Sequence, residues 1–158
     1  MINNLKKHSA GCLLAIMMLL LDSSCSSNSG NKSANEKLVK DYYVAYEKKD
    51  WNLLNSILAD GFTFTSPMDD HIDLKTYQGR CWPNSANTKK FDIEKLVVDG
   101  DDAFVTYTGW TNDGKSFRNT EVFKFKDGKI LANTCFFGPG VSFPNNAAVP
   151  PVPAKRGG

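Results

Sequence analysis

Histidine is nearly missing from this 158-residue chain: there are two, and one of them, His8, falls in the N-terminal leader. A histidine-built metal site is therefore not expected in the remainder. The sequence also has no P-loop, no glycine-rich dinucleotide fingerprint and no Cys-x-x-Cys pair, so neither a cofactor nor a metal is expected. Charge of one sign is lacking too. The net charge is +2 and the basic residues are scattered, which argues against a nucleic-acid partner. Long apolar runs are confined to residues 12–21, about half of the ~20 residues that a membrane-spanning helix needs.

What is present at the N-terminus has the layout of a secretory leader. Lys6, Lys7 and His8 precede the apolar run, and a serine-rich stretch follows it. Cys25, after Leu21-Asp22-Ser23-Ser24, resembles the lipid-attachment cysteine of a bacterial lipoprotein, with Asp22 standing where that pattern usually has an aliphatic residue. The expectation is a signal peptide over residues 1–24, a lipid anchor at Cys25 and a flexible Ser/Asn/Gly spacer over 25–32. The protein is then exported to the cell envelope, facing the periplasm or the cell surface, and meets the membrane only through that anchor. Four cysteines occur in all. Cys12 leaves with the leader and Cys25 carries the lipid, so Cys81 and Cys135 remain, either bridged in an oxidising compartment or buried as small apolar thiols.

The stretch from Ala103 to Phe137 reads as three strands joined by two tight turns, Asn112-Asp113-Gly114 and Asp127-Gly128-Lys129. Asp-Gly between alternating apolar runs is a strong hairpin signal, because both residues tolerate the positive φ that a tight turn requires. On the middle strand a period of two puts Phe117, Asn119, Glu121, Phe123 and Phe125 on one face and Ser116, Arg118, Thr120, Val122 and Lys124 on the other. The phenylalanine face is the one to bury. It takes the Glu121 carboxylate and the Asn119 amide in among aromatic rings, which implies an apolar pocket with a few polar groups pointing inward.

Upstream, Ser33 and Glu36 have the spacing of a capping box, followed by a helix over residues 34–48 with Leu38, Val39, Tyr42, Tyr43 and Tyr46 on one stripe. Asp50 caps a second, shorter helix through Leu58, and Phe62 to Thr65 alternates as a strand that Pro67 ends. Next comes Met68-Asp69-Asp70-His71-Ile72-Asp73, a dense polar knot before a third helix from Leu74 to about Cys81. One of its aspartates caps that helix, and capping does not account for all three. Trp82-Pro83-Asn84 ends the helix, Phe91 to Val98 is another strand, and Asp99-Gly100-Asp101 turns into the meander. Residues 141–158 read as a disordered, proline-rich tail.

Helix, helix, strand, short helix and then long antiparallel strands is an α+β order. The stretch from Leu38 to Phe137 resembles the SnoaL-like domains of the nuclear-transport-factor-2-like superfamily. The likeness is carried by Asp50-Trp51, Phe62-Thr63-Phe64-Thr65-Ser66-Pro67, the Asp69-to-Asp73 knot, Arg80-Cys81-Trp82-Pro83-Asn84-Ser85, and Phe117-Arg118-Asn119-Thr120-Glu121 leading into Asp127-Gly128-Lys129-Ile130. The resemblance implies a domain over residues 33–140 with a cone-like, curved antiparallel sheet and three N-terminal helices packed on its concave face. The open end is lined by the meander, the first helix and the loop near the third. Members similar to ketosteroid isomerase or to SnoaL-type cyclases use an acid in that cavity to shuttle a proton while donors hold an enolate. The superfamily is functionally mixed, so the fold does not select an activity.

Two readings of the pocket follow, and whether the protein is an enzyme stays open between them. In the first, it binds a small hydrophobic molecule, with Tyr42, Tyr46, Trp82, Phe117, Asn119, Phe123 and Phe136 as its contacts. In the second it is an acid-base enzyme of isomerase, cyclase or dehydratase type acting on a small hydrophobic carbonyl compound. Asp69 or Asp70 is then the proton acceptor, Glu121 or Tyr46 the donor, and His71 an orienting partner. The plainer alternatives are a surface-loop role for His71 and, for Glu121, an ion pair with Arg80 or a hydrogen bond to a tyrosine. A third reading is an interaction module that forms a homodimer through the outer face of the sheet.

Overall fold

The apolar stripe centred on Leu38, Tyr42 and Tyr46 builds the longest helix of the computed structural model, which describes residues 26–140. This helix, α1 (Ser26–Lys48), buries Val39, Tyr42, Tyr43, Ala45 and Tyr46. It begins earlier than the sequence suggests, so residues 26–32, expected as a spacer, are helical and the Ser33/Glu36 pair lies inside the helix and caps nothing. Interior N–H groups already have partners within the helix, and only the first turn needs a cap. The helix ends at Lys49, whose φ of 59° is the left-handed conformation of a C-terminal stop. The leader, the Cys25 anchor and the 141–158 tail lie outside the described residues.

Asp50 then caps α2 (Trp51–Ile57), its carboxylate accepting from the Leu53 N–H at 2.9 Å. The chain runs on through β1 (Leu58–Ser66) into β2 (Asp69–Asp73), so the polar knot is a short strand paired antiparallel with β1 and not a loop. Asp73 caps α3 (Leu74–Arg80), accepting from the Thr76 N–H at 2.8 Å, and a 3-10 turn over Trp82–Asn87 carries the chain away. Four long strands complete the sheet: β3 (Thr88–Asp99), β4 (Asp102–Thr111), β5 (Ser116–Lys126) and β6 (Lys129–Gly140). The Asp-Gly turn between β5 and β6 has positive φ at both residues, 51° at Asp127 and 72° at Gly128, as a two-residue hairpin loop demands.

The six strands stand in the order β2-β1-β6-β5-β4-β3, curved but not closed, with the three helices packed against one face. Every pairing is antiparallel except that of β1 with β6, which is parallel because these strands are joined through the rest of the sheet and not by a hairpin. On β5 the expected alternation holds residue by residue: Phe117, Asn119, Glu121, Phe123 and Phe125 are buried, and the residues between them face out. Opposite Phe117 stands Gly109, and a Cβ there would sit 2.3 Å from the end of the Phe117 ring, so that ring lies flat over the glycine. Among the described residues no helix is long and apolar enough to cross a membrane.

Candidate functional site

The inner face of β4, β5 and β6 converges with α1 and α3 on a single hollow, because the curvature of the sheet leaves a gap that the helices bridge and do not fill. The centre of a water molecule can reach about 70 Å³ of it, space for more than one water. Eight of the sixteen residues lining it are aromatic: Tyr42, Tyr43, Tyr46, Phe64, Tyr77, Phe91, Tyr107 and Phe137. The aliphatic core residues Val39, Leu54, Leu58, Val105 and Ile130 are packed elsewhere.

Two polar groups of the hollow are built from different elements. On the sheet side, Glu121 accepts from the Tyr107 hydroxyl at 2.7 Å, from the Asn133 amide at 2.9 Å and from the Tyr43 hydroxyl at 3.1 Å. Burial pushes its carboxyl above the ordinary glutamate range, and the donors from Asn133, Tyr107 and Tyr43 pull the other way without overcoming it. The Asn119 amide reaches the Tyr107 hydroxyl and the Cys135 sulfur, each at 3.4 Å, while its oxygen accepts from the Gly138 N–H at 3.2 Å. On the helix side, the Tyr77 hydroxyl of α3 meets those of Tyr42 and Tyr46 on α1, the latter at 2.5 Å. Burial raises all three phenols above their ordinary range, so they stay neutral. Three hydroxyls carry three hydrogens and share two bonds, which leaves one hydrogen for a group in the cavity.

A third pair stands at the rim. Asp69, with a side chain only 5% exposed, is held by Arg80 at 2.8 Å and accepts from the Ser66 hydroxyl at 3.2 Å. The alternative of a Glu121–Arg80 ion pair is thus replaced by hydrogen bonds from tyrosines for the one and Asp69 for the other. Cys81 and Cys135 both line the cavity as free thiols, the unbridged alternative. Burial pushes the Cys81 thiol up to about 12 and that of Cys135 well above the ordinary value, so both are protonated and unreactive.

The structure therefore brings together Tyr42, Tyr46, Asp69, Asn119 and Glu121 from among the expected contacts. Asp70 and His71 it does not. Their side chains are 87% and 75% exposed and pair with each other at 2.5 Å: Asp70 has the opposite parity to Asp69, and His71, of the same parity, has a left-handed φ of 48° that breaks the alternation. Phe136 is likewise outside, 55% exposed on the outer face, since Cys135 and Phe137 are the β6 residues of inward parity. Phe123 is fully buried against Tyr42 and Tyr43, Phe117 lies over Gly109, and Trp82 packs between Tyr46 and Trp51, so all three support the wall without lining it. Trp110 is on the outer side, its indole N–H donating to Asp92 at 2.7 Å. Tyr77, Tyr107 and Asn133 were not expected. Tyr107 was within reach of the strand alternation, since it shares the face of Ala103 and Val105, whereas nothing short of the fold marks Tyr77. Among the described residues no three His, Cys, Asp or Glu side chains group as metal ligands would.

The family model of the SnoaL-like domain matches residues 39–133, the part of the chain that builds this cavity. No curated protein matches the sequence. Among solved structures, the chain is similar to an NTF2-like protein of unknown function from Cytophaga hutchinsonii, at 21% identity and a TM-score of 0.55 over 66% of this chain and 89% of that one. It is also similar to an LEH-like epoxide hydrolase of M. tuberculosis, at 16% identity and 0.59 over 68% and 85%. A Kribbella flavida protein proposed to be a ketosteroid isomerase matches at 17% and 0.59 over 79% and 94%. At these identities the likeness is one of fold.

Proposed function

The chain belongs to the SnoaL-like domain family, and on that premise we propose that it is an exported, lipid-tethered domain whose cavity binds a small, largely apolar molecule. The observation that carries the reading is the convergence of polar atoms from α1, α3, β4, β5 and β6 on one aromatic hollow, with a carboxylate at one side and a spare hydroxyl hydrogen at the other. A few placed polar groups in a mostly apolar concavity are the ordinary make-up of a small-molecule site. Export and tethering rest on the leader and on Cys25, and Cys25→Ser is expected to move the protein from the membrane to the soluble fraction. Native mass spectrometry of protein purified without added ligand tests the binding. A retained extra mass supports it, and no retained mass together with no thermal shift across a panel of small apolar compounds overturns it.

A second reading is favoured by one feature of the same site. An acid whose proton affinity is raised by burial, facing a hydroxyl cluster with a hydrogen to give, is equipped for proton transfer on a small carbonyl compound. Glu121 would carry the proton and the Tyr42-Tyr77-Tyr46 cluster would hold the oxygen. The M. tuberculosis epoxide hydrolase and the Kribbella flavida protein make catalysis a reasonable expectation on this fold. In this reading Glu121→Gln abolishes turnover, and retained turnover in that variant removes it.

We place the homodimer contact on the outer face. There Phe104 sits between its cross-strand partners Val97 and Val122, with exposed Phe136 beside Thr120. Sedimentation at two protein concentrations distinguishes the dimer from a monomer.

A further inference from the structure

The wall of the cavity is unusual in what it omits. No leucine, isoleucine, valine, alanine or methionine is among its sixteen lining residues, although leucine, isoleucine, valine and alanine are buried in the core. A cavity selected only for an apolar guest has no reason to prefer rings over aliphatic side chains, because transfer from water rewards apolar area of either kind. Rings add something that aliphatic groups lack, a negative π face that attracts cations.

The charges around the hollow point the same way. Glu121 has its carboxylate inside, and the groups bonded to it, Tyr43, Tyr107, Asn133 and the Cys135 thiol, are all neutral. The Arg80 charge stands at the rim beside Asp69, 2.8 Å away, and offsets that second acid. With both acids ionised the cavity carries one uncompensated negative charge, enclosed by low-dielectric walls where an opposite charge is attracted most strongly. An anionic guest would add to that charge. A neutral guest favours the protonated form of Glu121 that burial already promotes, whereas a cation stabilises the ionised one.

On the reading that the cavity binds a small molecule, we infer that its ligand is a small organic cation, a protonated amine or an ammonium group on an apolar body, held between the aromatic faces and the Glu121 carboxylate. The body of such a ligand packs on Phe64, Phe91 and Phe137, and its charge supplies what the neutral donors around Glu121 do not.

Three probes of one shape and different charge decide the matter: benzylamine, cationic at neutral pH, benzyl alcohol, neutral, and benzoate, anionic. Titration calorimetry on the full chain is expected to show benzylamine binding about tenfold more tightly than benzyl alcohol, with benzoate weakest. In Glu121→Gln the first two converge to within about twofold, since the charge preference has lost its source. Should that variant not fold, Phe137→Leu at the half-buried end of the wall is expected to weaken benzylamine more than benzyl alcohol. Benzyl alcohol or benzoate binding the wild type as tightly as benzylamine overturns the cation and leaves the small-molecule site standing. If none of the three binds, the cation inference falls, and the small-molecule site stands or falls on the retained mass and the thermal-shift panel.

Discussion

Glu121 and Asp70 are both acids that a reader of the sequence would nominate, and they end in opposite environments. Asp70 stands in a cluster of three carboxylates and an imidazole, yet its side chain is 87% exposed and its one partner is the equally exposed His71. Glu121 has no charged neighbour in sequence nearer than Arg118 and Lys124, three residues away on either side, and it is buried with three donors aimed at it from three different elements. Density of polar residues along the chain and convergence of polar atoms in space are separate properties. Only the second makes a site.

Substitutions can break this contrast, and the largest effect is expected from Glu121→Leu. It strands Tyr43, Tyr107 and Asn133 without their acceptor inside the protein, and unfolding in urea should show a loss of about 3 kcal/mol. Next, Tyr107→Phe removes one donor and should lower stability by about 1 to 2 kcal/mol. It should also push the Glu121 carboxyl further up, because a bond that favours the charged form is gone.

The dependence on pH sharpens the contrast by its sign. Because the folded Glu121 holds its proton more tightly than the unfolded chain does, its contribution is fully present below the ordinary glutamate value and is lost as pH rises through the raised one. Glu121→Gln should flatten that decline. Asp113 runs in the opposite direction. Lys115 and then Thr111 hold its carboxyl down to about 2, so its contribution is present above the ordinary aspartate value and lost as the pH falls toward that figure. Asp113→Asn should flatten only the acid limb, and by less, since that group is exposed and screened by solvent. The smallest effect belongs to Asp70→Asn and His71→Ala. Neither should move the urea midpoint or the affinity for a cavity ligand beyond experimental error, and a loss of binding in either would undo the comparison.

Much of the fold was legible because its signals are local and periodic. Asp50 before Trp51, the Asp-Gly turns and the alternation of Phe117 through Phe125 each act within a few residues, and each is found in place. The site was legible only where one strand carried it. Asn119 and Glu121 follow from parity alone, whereas Phe136 is attractive only by residue type and lies against the parity that Cys135 and Phe137 obey. Tyr77 and Asn133 gave no sign, since the first matters through its hydroxyl contacts with α1 and the second through a bond across to β5. Neither contact exists until the sheet has curved.

A sheet that does not close leaves two rims, and each offers unpaired backbone groups to a stray strand from another molecule. The β2 rim is five residues long and carries Asp69, Asp70 and Asp73. The β3 rim is twelve residues long, and it would template aggregation were it flat and greasy. It carries instead Lys89, Lys90, Asp92, Glu94 and Lys95, with register breaks between Thr88 and Lys90 and between Ile93 and Lys95 that bend the ladder out of line for a newcomer. Where copies of this chain meet at high concentration, so charged and broken a border gives a neighbour's strand little to zip onto.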